Sequence, residues 1–514
     1  FRDDVDYVPT PRLILWGHHF TAVAGLAPIV GPAIAVIWGW LPAFIWVTVG
    51  TIFFAGVHDF GAVWVSVRNK GQSIGALTGD IVGPRARTLF MIVIFLLLLV
   101  VNAVFAVAIA EALQATPSSV IPVWAAIILA LGLGQLLYRM KVPLLWPTII
   151  GTAILYAVIP LGEVAPIELP ERLLGFSPSA QWIIILFIYA SIASLLPIWV
   201  LLQPRAYINA VQLFVGLGLV YGTIFIAGPT IVAPAINLNV PIDAPPLLPL
   251  LFVTIACGAI SGFHGLVGSG TTSKQLDRET DARFVGYLGS TGEGALALAA
   301  IIATTAGFAS FEEWRAIYTN FESGGLTAFI QGGATIVSDG SGLTHNTAAT
   351  LLTVMAVLFA GTTMDTAVRL QRYVVQEWGT IYRIPVFRNS YFATFVAVGA
   401  CLALAFGAGG RDLTGGMVLW PIFGTTNQLL ASMTLLVISI ALVRLGRPAR
   451  YTLIPMVFVS TVALLSALYQ LLVLYQTSQY VLMLVDAAIV ISAVFVMLEA
   501  FSAFTQRSKP ASVA

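Results

Sequence analysis

Four histidines and several acids stand in this chain where lipid is expected. His18 and His19 adjoin in LWGHHFTAVAGLAPIVGP (15–32), His58 and Asp59 adjoin in FAGVHDFGAVW, and His264 lies in IACGAISGFHGLVGSGTT (255–272). Glu293 and Asp365 occupy two further apolar runs. Ionisable side chains are costly inside a bilayer, so each is a candidate for handling substrate, ion or proton. The His58–Asp59 neighbours suit a proton relay or a structural pair. In LFAGTTMDTAVRLQRYVVQE, Thr362 and Asp365 are three apart and share a helix face, and Arg369 follows Asp365 by four, within pairing reach. Hydroxyls with a carboxylate are hard oxygen ligands for a small cation. The carboxylate alone can carry a proton, and the plain alternative is a static Asp365–Arg369 bridge. No HExxH-like ligand spacing occurs, so no metal site is expected. The absence of a nucleophile–base motif argues against an enzyme.

The backbone is interrupted beside these groups. Gly25, Pro28, Gly31 and Pro32 follow the first histidine pair. Proline lacks a backbone donor and clashes with the preceding turn, so no regular helix is expected from Gly25 to Pro32. Irregular backbone at membrane depth survives only where protein or a water-filled cavity satisfies it, and such interrupted spans mark midplane sites in secondary transporters. A kinked helix with satisfied histidines is the alternative. The glycine-rich stretch 255–272 is a second interruption. Glycines that merely let helices approach would look similar. The substrate is expected between residues 18–28 and 258–272. His18, His19, Gly25 and Pro28 would line one side, Gly262, His264, Ser269, Gly270 and Thr271 the other, with Glu293 and Asn427 beside them. Valine at Gly25 or Gly270 is expected to abolish binding. The spans hold no lysine, so amides freed at the breaks would attract an anionic substrate.

These residues must be carried by membrane helices. Of 514 residues 59% are hydrophobic and 9% charged, against about 25% charged in a soluble domain. Mean hydropathy is +0.94. No basic stripe points to nucleic acid. Cys257 and Cys401 both lie in apolar runs, which excludes a disulfide framework. A span needs about 17–25 apolar residues, and fourteen runs qualify: 13–37, 41–67, 86–115, 121–138, 144–162, 181–202, 205–228, 249–270, 284–306, 346–376, 389–409, 416–444, 452–476 and 480–504. With both ends cytoplasmic, the inner loops collect nearly all the arginines and lysines, Arg205 among them, and only Arg172, Arg315 and Arg411 fall outside. Glu111, Asp486 and Glu499 lie near span ends and are expected at the interface. The outer loop 307–345 reads as a short amphipathic or re-entrant segment. The fold class is therefore an all-α polytopic membrane protein in a single transmembrane domain. Its two broken spans run in opposite directions, as in inverted repeats.

At VDYVPTPRLILWGHHFTAVAGLAPIVGP, LPIWVLLQPRAYINAVQ, FVTIACGAISGFHGLVGSGTTSKQL, TTMDTAVRLQRYVVQE and LWPIFGTTNQLLA, the chain resembles the carbon starvation protein A family of bacterial inner-membrane transporters. The resemblance covers nearly the whole chain. It implies a secondary transporter related to the amino acid–polyamine–organocation superfamily, importing pyruvate or short peptides with protons or sodium ions and no cofactor. It also implies a further span ahead of Phe1, and the position of His58 is often glutamine in members. Ten core helices in two inverted repeats would fall at about 13–162 and 249–444, with extra helices at about 181–228 and 452–504. The tenth span then becomes the eighth core helix, and a cation site is implied where Thr362, Thr363 and Asp365 meet the break at Ala24 and Gly25. Asp59 completes the candidate ion-coupling set. An uncoupled channel or facilitator would use the same topology.

Overall fold

The computed structural model describes residues 7, 9–321, 324–410 and 418–505; Arg411 lies outside them. Among the described residues the protein is helical, with only isolated bridges of β type. Twelve helices are long and apolar enough to cross a bilayer, and a bent pair, Arg12–Val23 with Ala27–Trp38, makes thirteen. These thirteen match thirteen of the fourteen runs. The run at 249–270 departs from a plain span: it is two short helices, Leu247–Thr254 and Gly262–Val267, separated by non-helical residues 255–261. We call it the eighth segment and number the spans around it in chain order.

Helix starts follow local chemistry. Ser73, Ser177, Ser310 and Thr344 each accept an amide N–H from three residues on, and Pro84, Pro117 and Pro178 sit where a helix needs no donor. The first span bends by 52° at residues 24–26. An unbroken helix would direct the amide of residue 28 to the carbonyl of Ala24, and Pro28 has none. The interruption is shorter than the expected Gly25–Pro32. Helix resumes at Ala27 with Pro28 in its first turn, where proline is tolerated, and continues through Pro32.

The two broken elements lie antiparallel. The inner half of the first span, Arg12–Val23, packs beside Gly262–Val267, and its outer half, from Ala27, packs beside Leu247–Thr254. The ninth span, Asp281–Ala306, threads between the first span and the second, Trp40–Arg68. Its sequence GYLGSTGEG permits this. A Cβ at Gly286 would collide with the second span's backbone at Asp59 and Phe60, and one at Gly289 with the His19 ring. Loop 307–345, expected on the outer side, holds the helices Phe311–Ile317 and Leu326–Ser341. The latter buries one face against the seventh, ninth and tenth spans and the first span's outer half. Among the described residues three single π-helical turns occur, at Thr51–Ala55 in the second span, Gln135–Arg139 in the fourth and Gly268–Thr272 after the second short helix of the eighth segment.

Candidate functional site

The ninth span brings Glu293 to the middle of its length, opposite His264 of the eighth segment. His264 Nε2 stands 3.0 Å from Glu293 Oε2, off the line of a straight hydrogen bond. His264 Nδ1 donates to Asp59 Oδ2 at 2.9 Å, and His58 Nδ1 donates to Asp59 Oδ1 at 2.7 Å. Both oxygens of Asp59 thus receive ring N–H groups, the arrangement of an ionised carboxylate. All four side chains are buried. The result is a chain, His58–Asp59–His264–Glu293, joining the second span, the eighth segment and the ninth span. Glu293 Oε1 and His58 Nε2 have no hydrogen-bond partner among the described residues. Because His264 has a ring nitrogen directed to each acid, the four groups do not converge on one point. Among the described residues no three His, Cys, Asp or Glu side chains could hold a metal ion.

The histidine pair of the first span ties it to the residues after the eighth segment. His19 Nδ1 lies 2.8 Å from Thr272 Oγ1, and His18 Nε2 3.5 Å from Gln275 Nε2. The Thr10 amide donates to the Gln275 carbonyl, and Tyr7 reaches the Lys70 carbonyl. Ser269, Gly270 and Thr271 belong to the π-helical turn here, clear of the 255–261 break. Ser269 Oγ accepts the Ile74 amide, and Thr271 donates to the Val267 carbonyl. A Cβ at Gly270 would meet nothing within 4 Å, so the expected intolerance of valine has no steric basis there. At Gly25 it does: a Cβ would meet Thr363 Oγ1 at 2.7 Å and Phe105 at 3.3 Å.

The second break is stitched by its neighbours. Asn427 Oδ1 accepts the Phe263 amide at 3.0 Å, while Nδ2 reaches Ser261 Oγ and Cys257 Sγ. Carbonyls at Thr254, Ile255 and Gly258 are met by Trp420, Trp46 and Thr51, and that of Phe252 by Gln428. Asn427, expected beside the substrate, here stands in for helical bonding by accepting the Phe263 amide. Gly262 abuts the twelfth-span backbone at Asn427 and Ala431.

The expected ion-coupling residues of the tenth span, His345–Ile381, divide between two faces. Thr363 lies against the first break at Gly25. Thr362 and Asp365 face the sixth and seventh spans, where Asn209 Nδ2 donates to Thr362 Oγ1 at 2.6 Å. Asp365 Oδ2 accepts from Arg205 Nη1 at 2.6 Å and from Tyr189 OH at 2.7 Å. Its hydrogen-bonded partner is thus Arg205 instead of Arg369, which donates to the carbonyls of Ala193 and Leu196. Arg205, expected in a cytoplasmic loop, is 2% exposed. The legible signal was spacing: Arg205, Asn209 and Gln212 stand at i, i+4 and i+7, a polar stripe along one face of the seventh span, and all three are buried. Nothing in the primary structure tied Tyr189 to them. Beside Arg205, Tyr189 and Gly361 lies a cavity of about 20 Å³, room for about one water. Asp486 also departs from expectation, being fully buried with neither oxygen hydrogen-bonded among the described residues.

Comparison with known proteins agrees with this architecture. A manganese transporter from Eremococcus coleocola, solved as a variant, aligns over 98% of this chain and 99% of its own with TM-score 0.58 at 12% identity, and a second variant with TM-score 0.54. This is a likeness of fold alone. The peptide transporter CstA of Campylobacter jejuni is 32% identical over 92% of this chain and 74% of its own length, and that of Escherichia coli 31% over 89% and 73%. The pyruvate/proton symporter BtsT of Escherichia coli is 35% identical over 59% of this chain and 43% of its own. The model of the family described as carbon starvation protein CstA matches residues 1–321 and 309–466. A buried acid–imidazole chain among bent and broken membrane helices is thus set in a sequence that belongs to the CstA family of transporters.

Proposed function

We propose that this protein imports a small organic nutrient, pyruvate or a short peptide, across the bacterial inner membrane in symport with protons. It works by alternating access around the breaks at 24–26 and 255–261. The observation that carries this reading is the antiparallel pair of broken elements with titratable groups packed directly against them. Relatives named as peptide transporters and as a pyruvate/proton symporter support the substrate class and the ion.

Substrate would lie against the first break, where Ala24 and Gly25 precede a nine-residue helix, Ala27–Ala35, with Pro28 in its first turn. The amides of a helix start favour a carboxylate, common to pyruvate and peptides. The inner side is held by the His19–Thr272 and Thr10–Gln275 contacts, so the inward-open state requires these to part. The manganese transporter's likeness is one of fold alone and does not carry its cargo to this chain.

Purified protein in liposomes tests this directly, with labelled pyruvate and dialanine competed under imposed proton or sodium gradients. Saturable uptake, counterflow and accumulation driven by a proton gradient are expected. Saturable uptake that never exceeds equilibrium under any gradient would make the protein a facilitator, and sodium-driven accumulation would reassign the ion.

A further inference from the structure

We propose that Glu293, linked through His264 to Asp59, is the binding site for the transported proton, and that it takes one proton per cycle. This rests on the symport reading above and names the group that performs the coupling.

The argument is a count of protons over the hydrogen bonds. Asp59 accepts from two rings and is an anion. His58 directs Nδ1 to Asp59 and has no acceptor at Nε2, so it is counted with one ring proton, on Nδ1. At 3.0 Å, His264 Nε2 and Glu293 Oε2 cannot oppose lone pair to lone pair, so one of the two carries a proton. The pair is neutral whether that proton sits on nitrogen or oxygen. The four groups together then carry one negative charge. The other titratable groups that reach them are His19, with His18 behind it, on the first span and Cys257 at the break. The twelfth span presents Asn427 and Thr434. None supplies a permanent positive charge. A net charge at mid-membrane is costly, and one added proton removes it.

Besides His264 Nε2, already counted opposite Glu293 Oε2, the atoms of the four groups without a hydrogen-bond partner among the described residues are Glu293 Oε1 and His58 Nε2. Protonating His58 would create a cation with an unmet N–H beside it. Protonating Glu293 instead converts an unmet charged acceptor into a neutral acid, which is the cheaper change. His264 is then an imidazolium facing Asp59 and the acid carbonyl of Glu293. The loaded state weakens the tie between the ninth span and the eighth segment while leaving the Asp59 bond in place. Because the ninth span also packs on both halves of the first span, loading is felt at both broken elements.

The stoichiometry separates the two substrates. One proton with pyruvate moves no net charge, whereas one proton with zwitterionic dialanine moves one positive charge. Wild-type liposomes should therefore accumulate pyruvate about tenfold per pH unit imposed, unchanged by a potassium–valinomycin potential, while dialanine uptake rises with an inside-negative potential. Pyruvate accumulation that responds to the potential would overturn the one-proton site. Glu293→Gln, with an unchanged circular dichroism spectrum, should lose gradient-driven accumulation. Accumulation at the wild-type level in that variant would also overturn it.

Infrared difference spectra during a pH titration provide a measurement independent of transport and of the variant's folding. A buried carboxylic acid carbonyl band should appear on acidification and shift when glutamate, but not aspartate, carries carbon-13 in its carboxyl. A band that shifts only with labelled aspartate, or no band at all, refutes Glu293. If the band behaves as expected but neither pyruvate nor dialanine is transported, the proton site stands and the substrate reading fails.

Discussion

Two buried charge clusters in this protein solve the same problem differently. In the second span, eighth segment and ninth span, Asp59 and Glu293 are matched by imidazoles. In the sixth, seventh and tenth spans, Asp365 is matched by a guanidinium and a phenol. Burying any of these charges alone would cost several kcal/mol, of order 3–5 when a partner is removed. Arginine remains charged under all ordinary conditions, so the Arg205–Asp365 pair is fixed. Histidine can change charge near neutral pH, so the other cluster can gain and lose a proton at tolerable cost. The difference separates a device for holding three helices together from one that can change state during a transport cycle.

The contrast can be broken most severely at Arg205. Arg205→Met should lower stability by about 3–5 kcal/mol, because Asp365 stays buried without its partner, and thermal unfolding in detergent would record it. The double replacement Arg205→Met with Asp365→Leu should regain most of that loss and keep proton-driven accumulation intact. Loss of coupling in a stable double variant would move the coupling site to Asp365, where Thr362 and the tenth span suggested it. Next in size, Asn427→Ala leaves the Phe263 amide and Ser261 without their acceptor, an expected cost of about 1–3 kcal/mol. Its effect should fall on the cluster hung from the eighth segment: hydrogen exchange should rise around 255–264 and not around 205–209. The smallest effect is expected at Arg68–Glu279, a half-exposed ion pair. Arg68→Ala should shift stability by about 1 kcal/mol or less and leave uptake rates unchanged. A larger change there would mean that surface charge contributes more to the inner closure than the buried pairs do.

Much of this was legible in the residues. Apolar run lengths located most of the helices to within a few residues, because bilayer thickness constrains length so tightly, although the sixth ends at Leu195, seven residues before its run does. Pro28 announced the first break, since a missing amide is a local fact. The depth of Glu293 and His264 was equally readable. What escaped was the partner of each group. Arg369 is the nearest cation to Asp365 in sequence, but its guanidinium reaches carbonyls at the end of the sixth span, while Arg205 arrives from another helix. Positive-inside counting placed Arg205 in a loop because it treats every cation near a span end as solvated. Asn427 looked like a ligand because a buried amide with four bonding positions is equally suited to substrate or to unwound backbone. Only the tertiary packing assigns it to backbone.

The π-helical turn at Thr51–Ala55 has a consequence for how relatives are compared. One extra residue in a helix turns everything after it by about 100° and advances it by about 1.5 Å. His58 and Asp59 follow that turn directly, three and four residues beyond Ala55. The aim of Asp59 at His264 therefore depends on the register that this turn sets. A homologue lacking that single residue would keep both side-chain identities and present them to a different neighbour, so matching letters at these positions is no guarantee of matching places.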